Sequence, residues 1–139
     1  STYHAIVYQD ESYIQNMDEW NQKHHKESGL VDLIPTGKNP QQVDQELSQL
    51  AQDHFENNEK VVIGGNSIAQ DRAFIQKTFP TFAAKLHYRM LDVSAWKLIF
   101  KHKYDREYKK SNSHRALDDI RESLAELKFY ESFLAIESP

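Results

Sequence analysis

Hydrophobic positions recur at helical spacing along most of the chain and condense into short apolar runs at a few points. Residues 3–8, "YHAIVY", form such a run, rich in β-favouring side chains, and predict a strand that opens almost at residue 1. Tyr13, Met17, Trp20 and His24 follow at i, i+4, i+7 and i+11, predicting an amphipathic helix over residues 12–26. "ESGLVDLIPTGKNP" reads as a loop, closed by Asn39 as N-cap and Pro40 at the first helical position. A helix over residues 40–55 carries Val43, Leu47, Leu50, Ala51 and Phe55 on one face. After a turn at "NNEK", the run "VVIGG" predicts a buried strand ended by its glycines. Ser67 with Gln70 three residues on makes a capping box, starting a helix whose apolar face holds Ile68, Phe74, Ile75 and Phe79. Pro80 breaks it; a short helical piece, a strand around residues 90–93 and a helix capped by Ser94 come next. The last element is a helix over residues 113–135, with Leu117, Ile120, Leu124, Leu127 and Glu131 on one stripe. Helix, buried strand, helix is the grammar of an α/β domain.

Against this pattern certain polar residues stand out. Asp71 falls between Ile68 and Phe74, inside the apolar face of a first turn and at the end of a buried strand. It either complements the helix N-terminus, worth about 0.3–1 kcal/mol, or belongs to the ligand crevice that α/β sheets place at strand ends. The second reading is preferred, because burying a carboxylate without a cation or donors is costly. His114, Asp118 and Asp119 sit at the start of the last helix, where Asp118 points away from the apolar stripe and Asp119 lies at its edge. They read as half of a catalytic site or as a capped surface helix with an Arg115–Asp119 ion pair; taken alone, the helix favours the second. Trp20 is a core or edge residue, or a flat surface on which a base stacks. Tyr88 and Arg89 offer an aromatic face beside a phosphate fork, or are ordinary surface. His24 and His25 are adjacent and so face different ways, which argues against a metal pair.

Composition narrows the partners. In 139 residues, 17 Lys and Arg stand against 21 Asp and Glu, for a net charge of −4. Proteins that grip long nucleic acid carry a basic excess, because phosphate neutralisation supplies most of the affinity. Its absence leaves room for a short substrate held at one focused site. With no cysteine, disulfides and cysteine-ligated zinc are excluded. No membrane span or signal pattern is visible, and a soluble, cytoplasmic protein is expected.

"GNSIAQDRAF", "HYRMLDVS" and "SHRALDDIRESLAELKFY", in that order and spacing, resemble the oligoribonucleases, members of the histidine-containing branch of the DEDD superfamily of 3′→5′ exonucleases. "MDEWNQKHHKESGL" is similar to the family's helix ahead of its second motif. The resemblance implies a single ribonuclease-H-like domain over residues 1–139, a mixed sheet flanked by helices, acting as a homodimer. It implies removal of mononucleotides from the 3′ end of very short RNA, down to dinucleotides, with two divalent cations, Mg²⁺ or Mn²⁺. Asp71 matches the acid of the second motif, and His114 and Asp119 match the third, as general base and metal ligand. Ser67, Arg89 and Ser94 resemble the groups that bind the substrate's terminal phosphate. Trp20 resembles the side chain that packs on a base, and Tyr88 the aromatic lent, with Arg89 nearby, to the partner subunit's site.

One family feature is missing: an Asp-x-Glu on an opening apolar strand. Asp44-Gln-Glu46 lies on a predicted helix and Asp105-Arg-Glu107 in a basic connection, so neither fits the role. The expectation is that roughly 30–40 residues holding the first strands of the sheet precede Ser1 in a longer chain. A chain that truly began at Ser1 would instead be a catalytically inactive fragment that binds nucleotide or only dimerises.

Overall fold

The computed structural model describes residues 2–55, 59–109 and 116–134. Among them are eight α-helices, one short 3-10 turn and a parallel two-stranded sheet, an α/β architecture consistent with a ribonuclease-H-like exonuclease domain. The chain divides into two compact units, one of Ser1–Glu59 with Ile75–Lys85, the other of Lys60–Phe74 with Leu86–Pro139.

In the first unit, the predicted opening strand does not form a ladder. Residues 3–8 make a single parallel bridge, Val7 to Lys38. Tyr8 N–H donates to the Lys38 carbonyl and Lys38 N–H to that of Ile6, both at 2.8 Å. A β-favouring run becomes a strand only where a partner strand supplies the other half of its hydrogen bonds. Gly37 lets the two segments approach: a Cβ there would lie 2.7 Å from the Tyr8 nitrogen.

The predicted helix over 12–26 is two helices, α1 (Glu11–Gln15) and α2 (Glu19–Glu27). Asp10 caps the first through Ser12 N–H and Asp18 the second through Asn21 N–H. Aspartates inside a hydrophobic periodicity thus acted as start signals. The predicted loop holds α3 (Leu30–Leu33) and the 3-10 turn Ile34–Thr36. Asn39 and Pro40 open α4 (Pro40–His54) as expected, the Asn39 side chain accepting Gln41 N–H. Val43 and Ala51 are buried along α4, and so is Asp44. The Asp44 carboxylate accepts the N–H groups of Thr81 (3.0 Å) and Phe82 (2.7 Å) at the start of α6 (Pro80–Ala83). Burial pushes its carboxyl up, but the Phe82 and Thr81 hydrogen bonds outweigh that and hold it below the ordinary range.

In the second unit, β1 (Val61–Gly65) pairs with β2 (Leu86–Asp92), from Val61 beside Leu86 to Gly65 beside Asp92. The register shifts between Val61 and Ile63, so that the two strands end level at Gly65 and Asp92. β1 is not fully buried as expected; it alternates, with Val62 53% exposed. β2 is longer than predicted and runs into α7 (Val93–Tyr104). The cap of α7 is Asp92, not Ser94. α5 (Ile68–Thr78) leaves β1, and α8 (Ala116–Glu131) packs on α7 and β1. Phe100 of α7 stacks on Tyr130 of α8 with ring centroids 4.9 Å apart.

α8 buries a different stripe from the one predicted. Glu126 and Tyr130 are fully buried, while Ile120 and Leu124 are 63% and 53% exposed. The two buried residues are joined by a hydrogen bond from the Tyr130 hydroxyl to Glu126, and Glu126 in turn accepts from Asn66 just beyond β1.

Candidate functional site

The site is built where β1 and β2 end together. Leaving Gly65, the chain passes through Asn66 and Ser67, and Ser67 takes φ +53°, a left-handed conformation unusual for serine. Three groups hold it there. Its N–H donates to Asp92 Oδ1 (3.1 Å) and to Ser94 Oγ (3.0 Å), and its carbonyl accepts Gln70 N–H (3.0 Å). Asp92 Oδ1 also accepts Ser94 N–H at 2.9 Å. The hydroxyls of Ser67 and Ser94 consequently lie 3.4 Å apart.

Asn66 ties this corner to α8. Its Nδ2 donates to Ser123 Oγ (2.9 Å) and Glu126 Oε2 (3.0 Å), while its Oδ1 accepts the Ser94 hydroxyl (3.3 Å). Tyr130 donates to Glu126 Oε1 at 3.2 Å. Burial pushes the Tyr130 hydroxyl up, and the Glu126 charge adds to it. Asp119 belongs to the same stripe of α8, one turn before Ser123 and roughly 6 Å along the axis.

The sequence-predicted residues divide as follows. Ser67 and Ser94 are brought together. Tyr88 and Arg89 are neighbours on β2, exposed, with the guanidinium 5.3 Å from the centre of the Tyr88 ring. Asp71 and Asp119 each occupy the first turn of their helix, α5 and α8. Asp71 is exposed rather than turned inward, because the buried residue of α5 is Ile68 and Asp71 stands about 60° off it around the helix. Asp119 is exposed too, and Asp118 lies 3.6 Å from Arg121. Trp20 is in the first unit, 58% exposed and stacked on His24 at 3.9 Å. His114, and the Arg115 proposed to pair with Asp119, lie outside the described residues.

Sequence reasoning missed Asn66, Asp92 and Glu126. Asp92 carried a usable signal, an Asp two residues before a Ser at a strand-to-helix junction, which is an N-cap pattern. Glu126 carried none, since acidic residues on a long helix ordinarily face solvent. The two Asp-x-Glu stretches take structural places: Asp44 caps α6, Glu46 binds Lys38, Asp105 is the C-cap residue of α7, and Glu107 pairs with Lys101 at 3.0 Å and Lys97 at 3.7 Å.

Exposed carboxylates are the hard oxygen donors that Mg²⁺ or Mn²⁺ takes. Among the described residues, however, no three His, Asp or Glu side chains gather as a set for a metal ion. Asp71 and Asp119 suit such an ion in kind without completing its cage.

This arrangement agrees with the relationships of the chain. A family model described as Exonuclease matches residues 2–127, and the chain belongs to that family. It is a nuclease of the oligoribonuclease-like, DEDD kind. The oligoribonuclease of Francisella tularensis subsp. tularensis (strain WY96-3418) is 40% identical over 130 residues, spanning 92% of this chain and 72% of that protein. The oligoribonuclease of Shewanella frigidimarina (strain NCIMB 400) is 40% identical over 130 residues, spanning 89% and 70%. No helix among the described residues is long and apolar enough to cross a membrane.

Proposed function

We propose that the protein is a 3′→5′ exoribonuclease that hydrolyses very short RNA, down to dinucleotides, to 5′-mononucleotides. The observation that carries this reading is the corner where Ser67 and Ser94 stand 3.4 Å apart, at the shared end of two parallel strands. Two hydroxyls fixed at that spacing suit adjacent oxygens of one phosphate group. A fixed phosphate pocket explains how an acidic chain selects a short ligand, where a long one would require a basic groove.

Each predicted residue takes a role in this reading. Ser67, Ser94 and Arg89 hold the terminal phosphate, the arginine through its planar fork. Trp20 packs on a base, and Tyr88, with Arg89 beside it, serves the partner subunit's site in a homodimer working in the cytoplasm. Asp71 and Asp119 hold divalent cations, Mg²⁺ or Mn²⁺, two per site; when bound, such ions offset charge on the attacking and leaving oxygens. His114 takes the proton of the attacking water, work that suits an imidazole whose ordinary pKa lies near neutrality.

The test is release of mononucleotide from a 5′-phosphorylated diribonucleotide in Mn²⁺, with and without chelator. Full activity in Asp71→Asn or His114→Ala would overturn the assignment. A nucleotide-binding chain without turnover is the alternative outcome of the same experiment. Saturable dinucleotide binding with no product at any metal concentration would establish it.

A further inference from the structure

We propose that Asp92 is the positioning residue of the phosphate corner, setting the spacing of Ser67 and Ser94 without touching substrate itself. The inference rests on the reading of those serines as phosphate ligands.

Asp92 closes β2 opposite Gly65, the last residue of β1, so its carboxylate stands at the one place where both strands turn into helices. A single oxygen, Oδ1, accepts two backbone N–H groups, from Ser94 at 2.9 Å and from Ser67 at 3.1 Å. The first of these caps α7 and is local. The second crosses from β2 to the β1–α5 junction and holds a serine whose φ of +53° is intrinsically disfavoured. Without that acceptor, Ser67 loses one of the groups that keep it in the left-handed region, and its hydroxyl swings away from Ser94. Asp92 therefore converts a helix cap into a ruler between two hydroxyls.

The charge of Asp92 works in the opposite sense. A carboxylate beside a phosphate repels it, so the negative charge itself contributes nothing favourable to binding. What the corner requires is an acceptor oxygen at one position. Asn in place of Asp preserves such an oxygen and removes the charge; Glu preserves the charge and displaces the oxygen by a methylene. A metal ligand or a catalytic acid would rank these two substitutions the other way.

The experiment measures binding of a 5′-phosphorylated diribonucleotide and of its 5′-hydroxyl counterpart by calorimetry, in chelator so that turnover plays no part. The readout is the ratio of the two affinities. In the unsubstituted protein and in Asp92→Asn the phosphorylated ligand is preferred. In Asp92→Glu and Asp92→Ala the preference falls at least about tenfold, the scale of losing one hydrogen bond to a charged group. Because the ratio is taken within each variant, general loss of stability does not mimic the effect, and the Asn–Glu comparison stands if Asp92→Ala does not fold. The inference is overturned if Asp92→Glu keeps the preference or Asp92→Asn loses it. If the unsubstituted protein shows no preference, or Ser94→Ala leaves it intact, the phosphate reading itself fails. If Ser94→Ala abolishes the preference while Asp92→Ala keeps it, only the inference fails.

Discussion

Asn66 donates its amide to Glu126 across 3.0 Å, and the carboxylate that receives it has no exposure to solvent. Through this bond and the one to Ser123, the turn after β1 holds α8, the helix that carries Asp119. Glu126→Ala would leave the Asn66 amide and the Tyr130 hydroxyl each short of an acceptor in a buried place. The expected cost is about 1–3 kcal/mol, read as a lower midpoint in urea unfolding. Glu126→Gln keeps an acceptor oxygen and should lose clearly less. Equal losses for the two variants would mean that the network requires the carboxylate itself, with both oxygens accepting, and that neither filled volume nor a single acceptor oxygen suffices.

Asp44 does for the first unit what Asp92 does for the second, joining two elements distant in sequence through paired backbone donors. Its oxygens meet Thr81 N–H and Phe82 N–H at the opening of α6. Asp44→Ala removes that cap from a buried site and should destabilise the protein by about 1–3 kcal/mol. Asp44→Asn retains one oxygen and falls between. A change below about 0.5 kcal/mol for Asp44→Ala in thermal unfolding would show that water replaces the carboxylate without cost.

The pH dependence of stability is expected to centre on Glu46. The Lys38 ammonium, then the Tyr3 hydroxyl and the Gln42 amide, hold the Glu46 carboxyl down to about 2 from an ordinary 4.5. A depressed carboxyl contributes stability above its unfolded pKa and loses it as pH falls through the folded one, here between about 4.5 and about 2. Tyr3 behaves in the opposite sense. Burial, then the Glu46 carboxylate, pushes its hydroxyl up to about 12, so its contribution is complete below pH 10 and fades as pH rises towards about 12. Melting temperatures across both ranges check this: Glu46→Gln should flatten the acid limb and Tyr3→Phe the alkaline limb. Added salt should weaken the exposed Lys38–Glu46 pair.

Much of the architecture was legible wherever hydrophobic period and turn chemistry agreed. Asn39 and Pro40 marked the start of α4, the glycines of "VVIGG" marked the end of β1, and Pro80 separated α5 from α6. The predictions that failed share a physical cause. The wheel of α8 assumed that apolar residues define the buried side, but Ser123, Glu126 and Tyr130 are held by specific hydrogen bonds that periodicity does not count. The run at residues 3–8 had strand composition, and composition does not supply a partner. Within the site, Ser67 and Ser94 could be named from the sequence because family motifs contain them. The acceptor that spaces them was hidden, because an Asp at a helix start reads as a local cap until its second donor, Ser67, is seen arriving from another strand.

The adjacent acids of α8 give the sharpest test of the catalytic reading. Neighbouring helical positions stand about 100° apart, so Asp118 and Asp119 do not serve the same ligand equally. Asp119 shares the stripe of Ser123 and Glu126, which faces the Asn66 turn, whereas Asp118 is turned off that stripe and lies 3.6 Å from Arg121. If Asp119 holds a divalent cation, Asp119→Asn removes one of its charged oxygens and should lower dinucleotide cleavage at least about a hundredfold, since metal-assisted charge stabilisation is worth several kcal/mol. Asp118→Asn should remain within about threefold of the unsubstituted protein, the scale of an exposed i,i+3 pair. Initial rates in saturating Mn²⁺ decide between them, with melting temperature measured alongside to separate lost chemistry from lost fold. Should Asp118→Asn prove the damaging substitution, the metal ligand on α8 is Asp118, and the stripe that meets Asn66 serves only to dock the helix.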